Sequence, residues 1–334
     1  MPQVSENPRS VYVRSNSTVT VKKGGGDDNH VPMTVEVLLS TYNGLSYIGP
    51  LLESLIAQDY PDVNILIRDD GSSDGTVDLL RKFAASRANI KFMPGEHVGF
   101  MQSFFKLLEL SSPDAAYFAF CDQDDVWLPD KISQAVALLS RQPRETAALY
   151  CSRLAVVDED LKPLGYTPVP RKALSFRNAL VEGQVPGCTA MINQAARLTL
   201  LRELPRYAYS HDWWMYLVVS AFGTVIYDQE PRILYRMHSG NVFGMPIGSF
   251  GTWRTKLALF LKERKTRPLV MQAEEFRRIF GLSLSGEKKR TLDRFLESMG
   301  RLHDRLIYAM TCDVYRQKLR DQFLLRMRIV FNRL

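Results

Sequence analysis

The stretch Tyr117-Phe-Ala-Phe-Cys-Asp-Gln-Asp-Asp-Val-Trp-Leu-Pro-Asp130 changes character at its centre. Its first half is apolar and rich in strand formers, Tyr117, Phe118 and Phe120, and it stops abruptly at the carboxylates Asp122, Asp124 and Asp125. Pro129 then opens a helical pattern in which Ile132, Val136 and Leu139 recur on one face. Such a strand buries its body and delivers the acids to the carboxyl edge of a sheet, where open α/β folds bind ligands. Clustered carboxylates repel one another unless a positive charge lies between them. A hard divalent cation such as Mg²⁺ takes oxygen ligands and bridges to phosphates. The competing reading is a solvated acidic turn ahead of a helix N-terminus, which favours acids in any case.

Upstream, the same rhythm repeats. Thr34–Ser40 reads as a buried strand, and Tyr42-Asn43-Gly44 as a turn. A helix from about Ser46 carries Ile48, Leu51, Leu52, Leu55 and Ile56 on one face. Val63–Arg68 is the next strand and ends in Asp69-Asp70-Gly71-Ser72-Ser73-Asp74. There Gly71 permits a tight turn, Ser72, Ser73 and Asp74 can cap a helix, and Asp70 can accept a hydrogen bond from a pyrimidine imide. Helix 76–86, strand Ile90–Met93, helix 99–110 and strand 116–121 follow. Strands alternating with helices imply a sheet with helices on both faces. Beyond Leu139 the pattern loosens, with strand-like stretches at Leu149–Val157, Val185–Ile192, 224–227 and 232–236, a helix over Ala195–Arg202, and a loop from Pro163 to Pro170.

The chain of 334 residues is 46% apolar, enough for a large core. Four cysteines without a CxxC pair argue against a disulfide framework or a zinc site. The first 30 residues lack the apolar segment of a secretory signal, and residues 1–31 read as a disordered leader. The longest apolar run, Trp213–Ile226, is short of the roughly 20 residues a spanning helix needs. A cytoplasmic protein is expected. The net charge of +7 is unevenly placed: from Thr252 to Leu334 there are 20 Lys/Arg against 9 Asp/Glu, a balance of +11, so the preceding part carries −4. The C-terminal segment therefore suits an anionic partner, a membrane surface or nucleic acid.

Taken together, Ser40-Thr-Tyr-Asn43, Asp69-Asp70-Gly71-Ser72 and Asp122-Gln-Asp-Asp125 ahead of Trp127-Leu-Pro-Asp130 resemble the family 2 inverting glycosyltransferases of the GT-A fold. His211-Asp212-Trp213-Trp214 and Tyr235-Arg-Met-His238 resemble that family's bacterial polysaccharide branch, which includes rhamnosyltransferases. The resemblance covers about residues 33–245. It implies an α/β nucleotide-binding domain with a mixed sheet over 32–250, followed by a basic amphipathic helical extension over 251–334. It implies a nucleotide-diphosphate sugar donor, dTDP-rhamnose ahead of UDP-glucose or UDP-galactose, and a saccharide or lipid-linked saccharide acceptor. It also implies Mg²⁺ or Mn²⁺. By the same resemblance Ser40, Tyr42, Asn43, Asp69, Asp70, Asp122 and Gln123 surround the nucleotide, and Asp124 ligates the metal.

Asp212 is the candidate catalytic base, because inverting transfer needs a carboxylate to take the acceptor hydroxyl's proton. Its other reading is a cap for the helix that begins at Trp213. Trp213 and Trp214 offer an apolar wall for the acceptor sugar. His238 is a candidate metal or diphosphate ligand, or else a locally bonded loop histidine. His97, in a loop after a strand, either touches the nucleotide or serves structure. In 252–265 and Val314–Phe331, apolar stripes run beside Lys and Arg, as in helices that lie in a membrane interface or pack with a charged face outward. A silent nucleotide-sugar binder would lack an acid such as Asp212 on the acceptor side. A nucleic-acid binder would show interleaved aromatics or zinc spacing, which this sequence lacks.

Overall fold

A computed structural model describes residues 33–238, 267–284 and 286–334. The expected leader and the amphipathic stretch 252–265 lie outside these. The described residues from Met33 onward belong to one compact unit.

Strand β1 (Val35–Thr41) is buried almost throughout, as a central parallel strand covered on both faces must be. Its alternate residues feed two cores: Leu38 packs with Phe104, Phe118 and Trp214, whereas Val37 and Leu39 pack with Ile48, Leu51 and Ile132. The elements continue as helix α1 (Leu45–Ile56), β2 (Val63–Asp69), α2 (Thr76–Ala85), β3 (Ile90–Pro94), α3 (Phe100–Leu110), β4 (Tyr117–Cys121), the short β5 (Val126–Trp127) and α4 (Lys131–Leu139). The predicted elements of this half agree with these to within a residue or two.

The later part holds β6 (Ala147–Ser152), β7 (Ala155–Val157), β8 (Pro163–Tyr166), α5 (Phe176–Ala179), a 3₁₀ turn (Gly187–Thr189), β9 (Met191–Asn193), α6 (Gln194–Leu200), α7 (His211–Phe222), β10 (Gly223–Asp228) and β11 (Ile233–Arg236). Four further described helices are α8 (Pro268–Phe280), α9 (Gly286–Glu297), α10 (Leu302–Thr311) and α11 (Leu319–Val330). A seven-stranded sheet runs β10-β6-β9-β4-β1-β2-β3, and a four-stranded one β5-β11-β7-β8. Only β9 runs antiparallel in the larger sheet, paired with β4 and β6. From β1 the chain goes outward to β2 and β3 and returns to β4 on the other side. That reversal opens a crevice at the carboxyl ends of β1 and β4, where α/β sheets bind ligands.

Three sequence expectations change. Leu149–Val157 is not one strand but two, β6 and β7, in different sheets. Pro163–Tyr166 is a strand rather than loop; it lies exposed at a sheet edge, so no apolar alternation betrays it. Val185–Ile192 opens with the 3₁₀ turn and only its end joins β9. The described helices after residue 266 are not a separate body, since Leu269, Phe276 and Phe280 of α8 share a core with Trp214 of α7.

Candidate active site

At the carboxyl end of β2, Asp69 is fully buried and its carboxylate is used by the turn it closes. Oδ1 accepts the Gly71 and Ser72 N–H groups at 3.1 and 2.8 Å, and Oδ2 accepts the Thr41 and Ser72 hydroxyls at 2.8 and 2.6 Å. Gly71 sits at φ +87°, a left-handed position that favours glycine, and the His97 backbone N would lie only 3.2 Å from an added Cβ. Asn43, itself at φ 47°, donates its N–H to the Ser72 hydroxyl and accepts the Ser73 N–H on its side chain. Ser40 meets Ser103 at 2.6 Å. These three predicted nucleotide residues thus build the wall of the crevice.

Asp70 is 1% exposed, and its carboxylate accepts three protein hydrogen bonds. Oδ1 takes Arg68 Nη1 at 2.5 Å and the Val98 N–H at 2.9 Å; Oδ2 takes the Gly99 N–H at 2.8 Å and faces His97 Nδ1 at 3.0 Å. A carboxylate offers about four acceptor sites, so these three hydrogen bonds leave about one open, on the Oδ2 that faces His97. Burial alone would raise its pKa, but Arg68 and the two backbone N–H groups outweigh that and hold it below the ordinary carboxylate value.

Tyr42 and Gln123 join β1 to the acidic turn reciprocally: the Tyr42 N–H donates to Gln123 Oε1 at 2.8 Å, and Gln123 Nε2 donates to the Tyr42 carbonyl at 2.9 Å. The Tyr42 ring, 45% exposed, lies 4.4 Å from the His97 ring, forming an aromatic ledge beside the acids.

Past Gln123, the acids gather. Burial, then Asp124, then Asp212, push Asp122 up to about 8, although part of its surface still reaches solvent. Burial with the Asp124 and Asp122 charges holds Asp125 well above the carboxylate range. Asp125 Oδ1 accepts the Arg236 N–H at 3.3 Å; Oδ2 is buried without a hydrogen-bond partner among the described residues, the nearby Cys188 thiol being a weak donor. Ligand atoms of Asp122, Asp125 and Cys188 lie within 4.8 Å of one another. Burial and these same acids push the Cys188 thiol well up, so it stays protonated and oxygen dominates the donor set. That chemistry fits a hard divalent cation. The Cys188 contribution was not legible in the sequence, because it arrives from a turn more than 60 residues downstream.

β11 pairs with β5 directly behind the acids and brings Arg236 and the predicted His238 to them. Arg236 Nε donates to the Asp124 carbonyl at 3.0 Å, and His238 Nε2 lies 2.8 Å from Asp124 Oδ2. The structure therefore places His238 and Asp124 together.

α7 brings Asp212 from the opposite side. Ser210 occupies the cap position, and Asp212 falls in the first turn rather than capping it. Its Oδ1 accepts the Trp213 N–H at 2.7 Å and the Ser210 hydroxyl; Oδ2 accepts the Gly187 N–H at 3.2 Å. At Gly187 an added Cβ would come within 2.9 Å of His211 Nε2. His211 is buried, stacked 4.1 Å from Phe104, and burial lowers its pKa although Asp212 opposes this. Trp213 is half-buried, donating Nε1 to the Ala179 carbonyl at 2.6 Å and lying 4.8 Å from Tyr209. Trp214, expected at the acceptor, is instead fully buried among Phe276 and Phe280 and cannot touch a sugar.

With 28% identity over 227 residues, 63% of this chain is similar to 74% of the dTDP-rhamnosyl transferase RfbG of Shigella flexneri. An uncharacterized glycosyltransferase of Rickettsia typhi is 23% identical over 246 residues, covering 71% of this chain and 74% of that protein. Among solved structures, S. aureus TarS 1–349 in complex with UDP-GlcNAc superposes with a TM-score of 0.55 at 17% identity, over 89% of this chain and 82% of that one. This likeness is one of fold, and the fold is GT-A. Residues 36–197, which run from β1 into α6 and hold the acidic turn, match the model of Glycosyl transferase family 2.

Proposed function

We propose that the protein transfers a sugar with inversion from a nucleotide-diphosphate donor, dTDP-rhamnose in preference to a UDP-hexose, to a saccharide or lipid-linked saccharide in cell-surface polysaccharide synthesis. The carrying observation is that the turn Gly187–Thr189 ties the two sides together: its Gly187 N–H donates to Asp212 Oδ2 at 3.2 Å, while the thiol of its Cys188 lies within 4.8 Å of ligand atoms of Asp122 and Asp125. Two acids of separate origin thus face one crevice, one on the donor side and one free to act on the acceptor. The rhamnose preference rests on the similarity to the Shigella flexneri transferase.

In this reading the Tyr42–His97 ledge takes the base, and the acidic turn faces the diphosphate. Asp124, Asp122 and His238 would hold Mg²⁺ or Mn²⁺, with Asp125 behind them. Such an ion, when bound, supplies positive charge that stabilises the departing nucleotide diphosphate. Asp212 takes the proton from the acceptor hydroxyl as that oxygen attacks the anomeric carbon. Three recorded donors fix its carboxylate and leave about one acceptor site of four open to the hydroxyl. Trp213 borders the same side.

No described helix is long and apolar enough to cross a membrane. Peripheral contact at the inner face is proposed from the exposed apolar residues Leu302, Met310, Leu319 and Phe323, interspersed with arginines on α10 and α11.

A thermal-shift screen of nucleotide sugars with and without Mn²⁺ or Mg²⁺ tests the donor reading. dTDP-rhamnose should raise the Tm by several degrees with metal and much less in excess chelator. Equal shifts with and without chelator would remove the metal; no shift with any nucleotide sugar would remove the donor.

A further inference from the structure

Beyond Asp212, two aromatic rings stand beside an arginine that the reaction above does not use. The Tyr209 ring is 46% exposed and lies 4.8 Å from the Trp213 ring, and its hydroxyl has no hydrogen-bond partner among the described residues. Trp213 rests on Gly183, where an added Cβ would fall 3.0 Å from the ring's Cδ2. Two residues earlier, the Val181 carbonyl accepts Arg316 Nε at 3.0 Å. Arg316 is partly exposed, and neither Nη1 nor Nη2 has a hydrogen-bond or ion-pair partner among the described residues. A planar fork of donors is thus unspent beside the two rings.

Arg316 is fixed from several directions. It lies in the link between α10 and α11, and that link is fastened to residues 172–182. Gln317 Oε1 accepts the Lys172 N–H at 2.8 Å, Gln317 Nε2 donates to the Lys172 carbonyl at 3.1 Å, and the Gln317 N–H donates to Glu182 Oε2 at 2.8 Å. Asn178 Nδ2 donates to the Tyr315 carbonyl at 2.9 Å, and the Ser175 and Tyr315 hydroxyls meet at 2.7 Å. The Arg316 N–H is held by Gln322 Oε1 at 2.7 Å. The same stretch takes Trp213 Nε1 on the Ala179 carbonyl, so one backbone segment positions both the ring and the guanidinium. Little side-chain freedom is left for a ligand to remove. Asp212 meets this segment at Gly187, across the irregular residues 182–186, which sets Arg316 a step away from the base.

The charges around Arg316 decide what it suits. Arg328 stands within electrostatic reach, but so do Glu182 and Asp321. Two cations against two acids leave no excess charge to draw a phosphate. A neutral polyol fits better, because the C–H face of a pyranose packs on aromatic rings while its adjacent hydroxyls accept the paired N–H groups of a guanidinium. We propose that Tyr209, Trp213 and Arg316 form a second sugar subsite on the acceptor side of Asp212. The acceptor is then a saccharide of at least two residues: the terminal one offers its hydroxyl to Asp212, and the next lies on the rings with its hydroxyls on Arg316. This rests on the sugar-transfer reading above and narrows its acceptor.

The test is a ligand-observed NMR titration of the full chain, in dTDP and Mg²⁺, with the methyl glycosides of rhamnose, glucose, galactose and N-acetylglucosamine and with the disaccharides built from them. The parent should bind at least one disaccharide about tenfold more tightly than either of its component methyl glycosides, roughly the worth of one hydrogen bond to a charged group. Tyr209→Ala and Arg316→Gln should bring that disaccharide to within about twofold of its components and leave the methyl glycosides unchanged. Tyr209→Ala alters an exposed ring and should keep the parent's Tm; it decides alone if Arg316→Gln proves unstable. A folded variant that keeps the tenfold preference overturns the proposal. So does a parent that binds no disaccharide more tightly than its components, or no saccharide at all. The thermal shift with dTDP-rhamnose then separates the two readings: if it persists, only the second subsite falls, and if it is absent, the sugar-transfer reading falls as well.

Discussion

Lys131 is the least expected residue of the molecule. It opens α4 in full burial, its Nζ has no hydrogen-bond partner among the described residues, and it stacks 3.5 Å over the Trp127 ring. Burial lowers its pKa to about 8 from the ordinary 10.5, against the opposing pull of Cys121, Cys188 and Asp125. Between pH 8 and 10.5 the unfolded chain therefore binds more protons than the folded one, so stability rises with pH across that window. Below pH 8 the cost of the buried charge is fully present. Lys131→Met should accordingly stabilise the protein at pH 7 by on the order of 1–3 kcal/mol, the cation–π contact offsetting part of the gain. The advantage should fade by about pH 10. Urea unfolding at both pH values checks this, and a destabilised variant at pH 7 would show that Lys131 offsets the acidic cluster instead. Periodicity placed Lys131 in a helix but could not show its burial, because a lysine in a first turn is ordinarily solvated.

At the scale of elements, what was legible was what repeats. β1 to α4 alternate buried strands with amphipathic helices, and each strand ends in the residues that the crevice needs. The 3₁₀ turn, β9 and exposed β8 are short, non-alternating segments whose structure comes from neighbours, so no local pattern records them. The Trp213-Trp214 pair illustrates the same limit: adjacent residues on a helix point apart, and only packing against α8 decides which one is core. Because α8 fills that core, deleting everything after residue 251 would expose Trp214 and test folding rather than membrane contact. A surface variant is the better probe. Leu319→Ser with Phe323→Ser changes side chains that are 76% and 64% exposed. The parent should bind anionic phosphatidylglycerol vesicles at low salt, and the double variant should bind at least several-fold more weakly with an unchanged Tm. A parent that ignores such vesicles would assign these helices to another role.

The whole molecule combines one sheet edge with two sources of acid. Asp122, Asp124 and Asp125 sit on the strand-turn next to β1, and their clustering was readable because like charges in a row need an explanation. Asp212 lies about 90 residues later, and nothing in local sequence locates it; only the resemblance to a family did so, and the fold then brought it to the crevice. His97 is the converse case. Its position after a strand was readable, but its orientation depends on hydrogen bonds to Asp70, 27 residues away. The central claim, that this crevice transfers a sugar using Asp212 as base, is tested most directly by Asp212→Asn. The substitution keeps size and removes the ability to take a proton. Initial rates of nucleotide-diphosphate release from dTDP-rhamnose in the presence of acceptor should fall about 10²–10⁴-fold, while the donor Kd and the Tm stay near the parent's. A variant that keeps more than about a tenth of the parent rate, a loss short of that range, would contradict the claim.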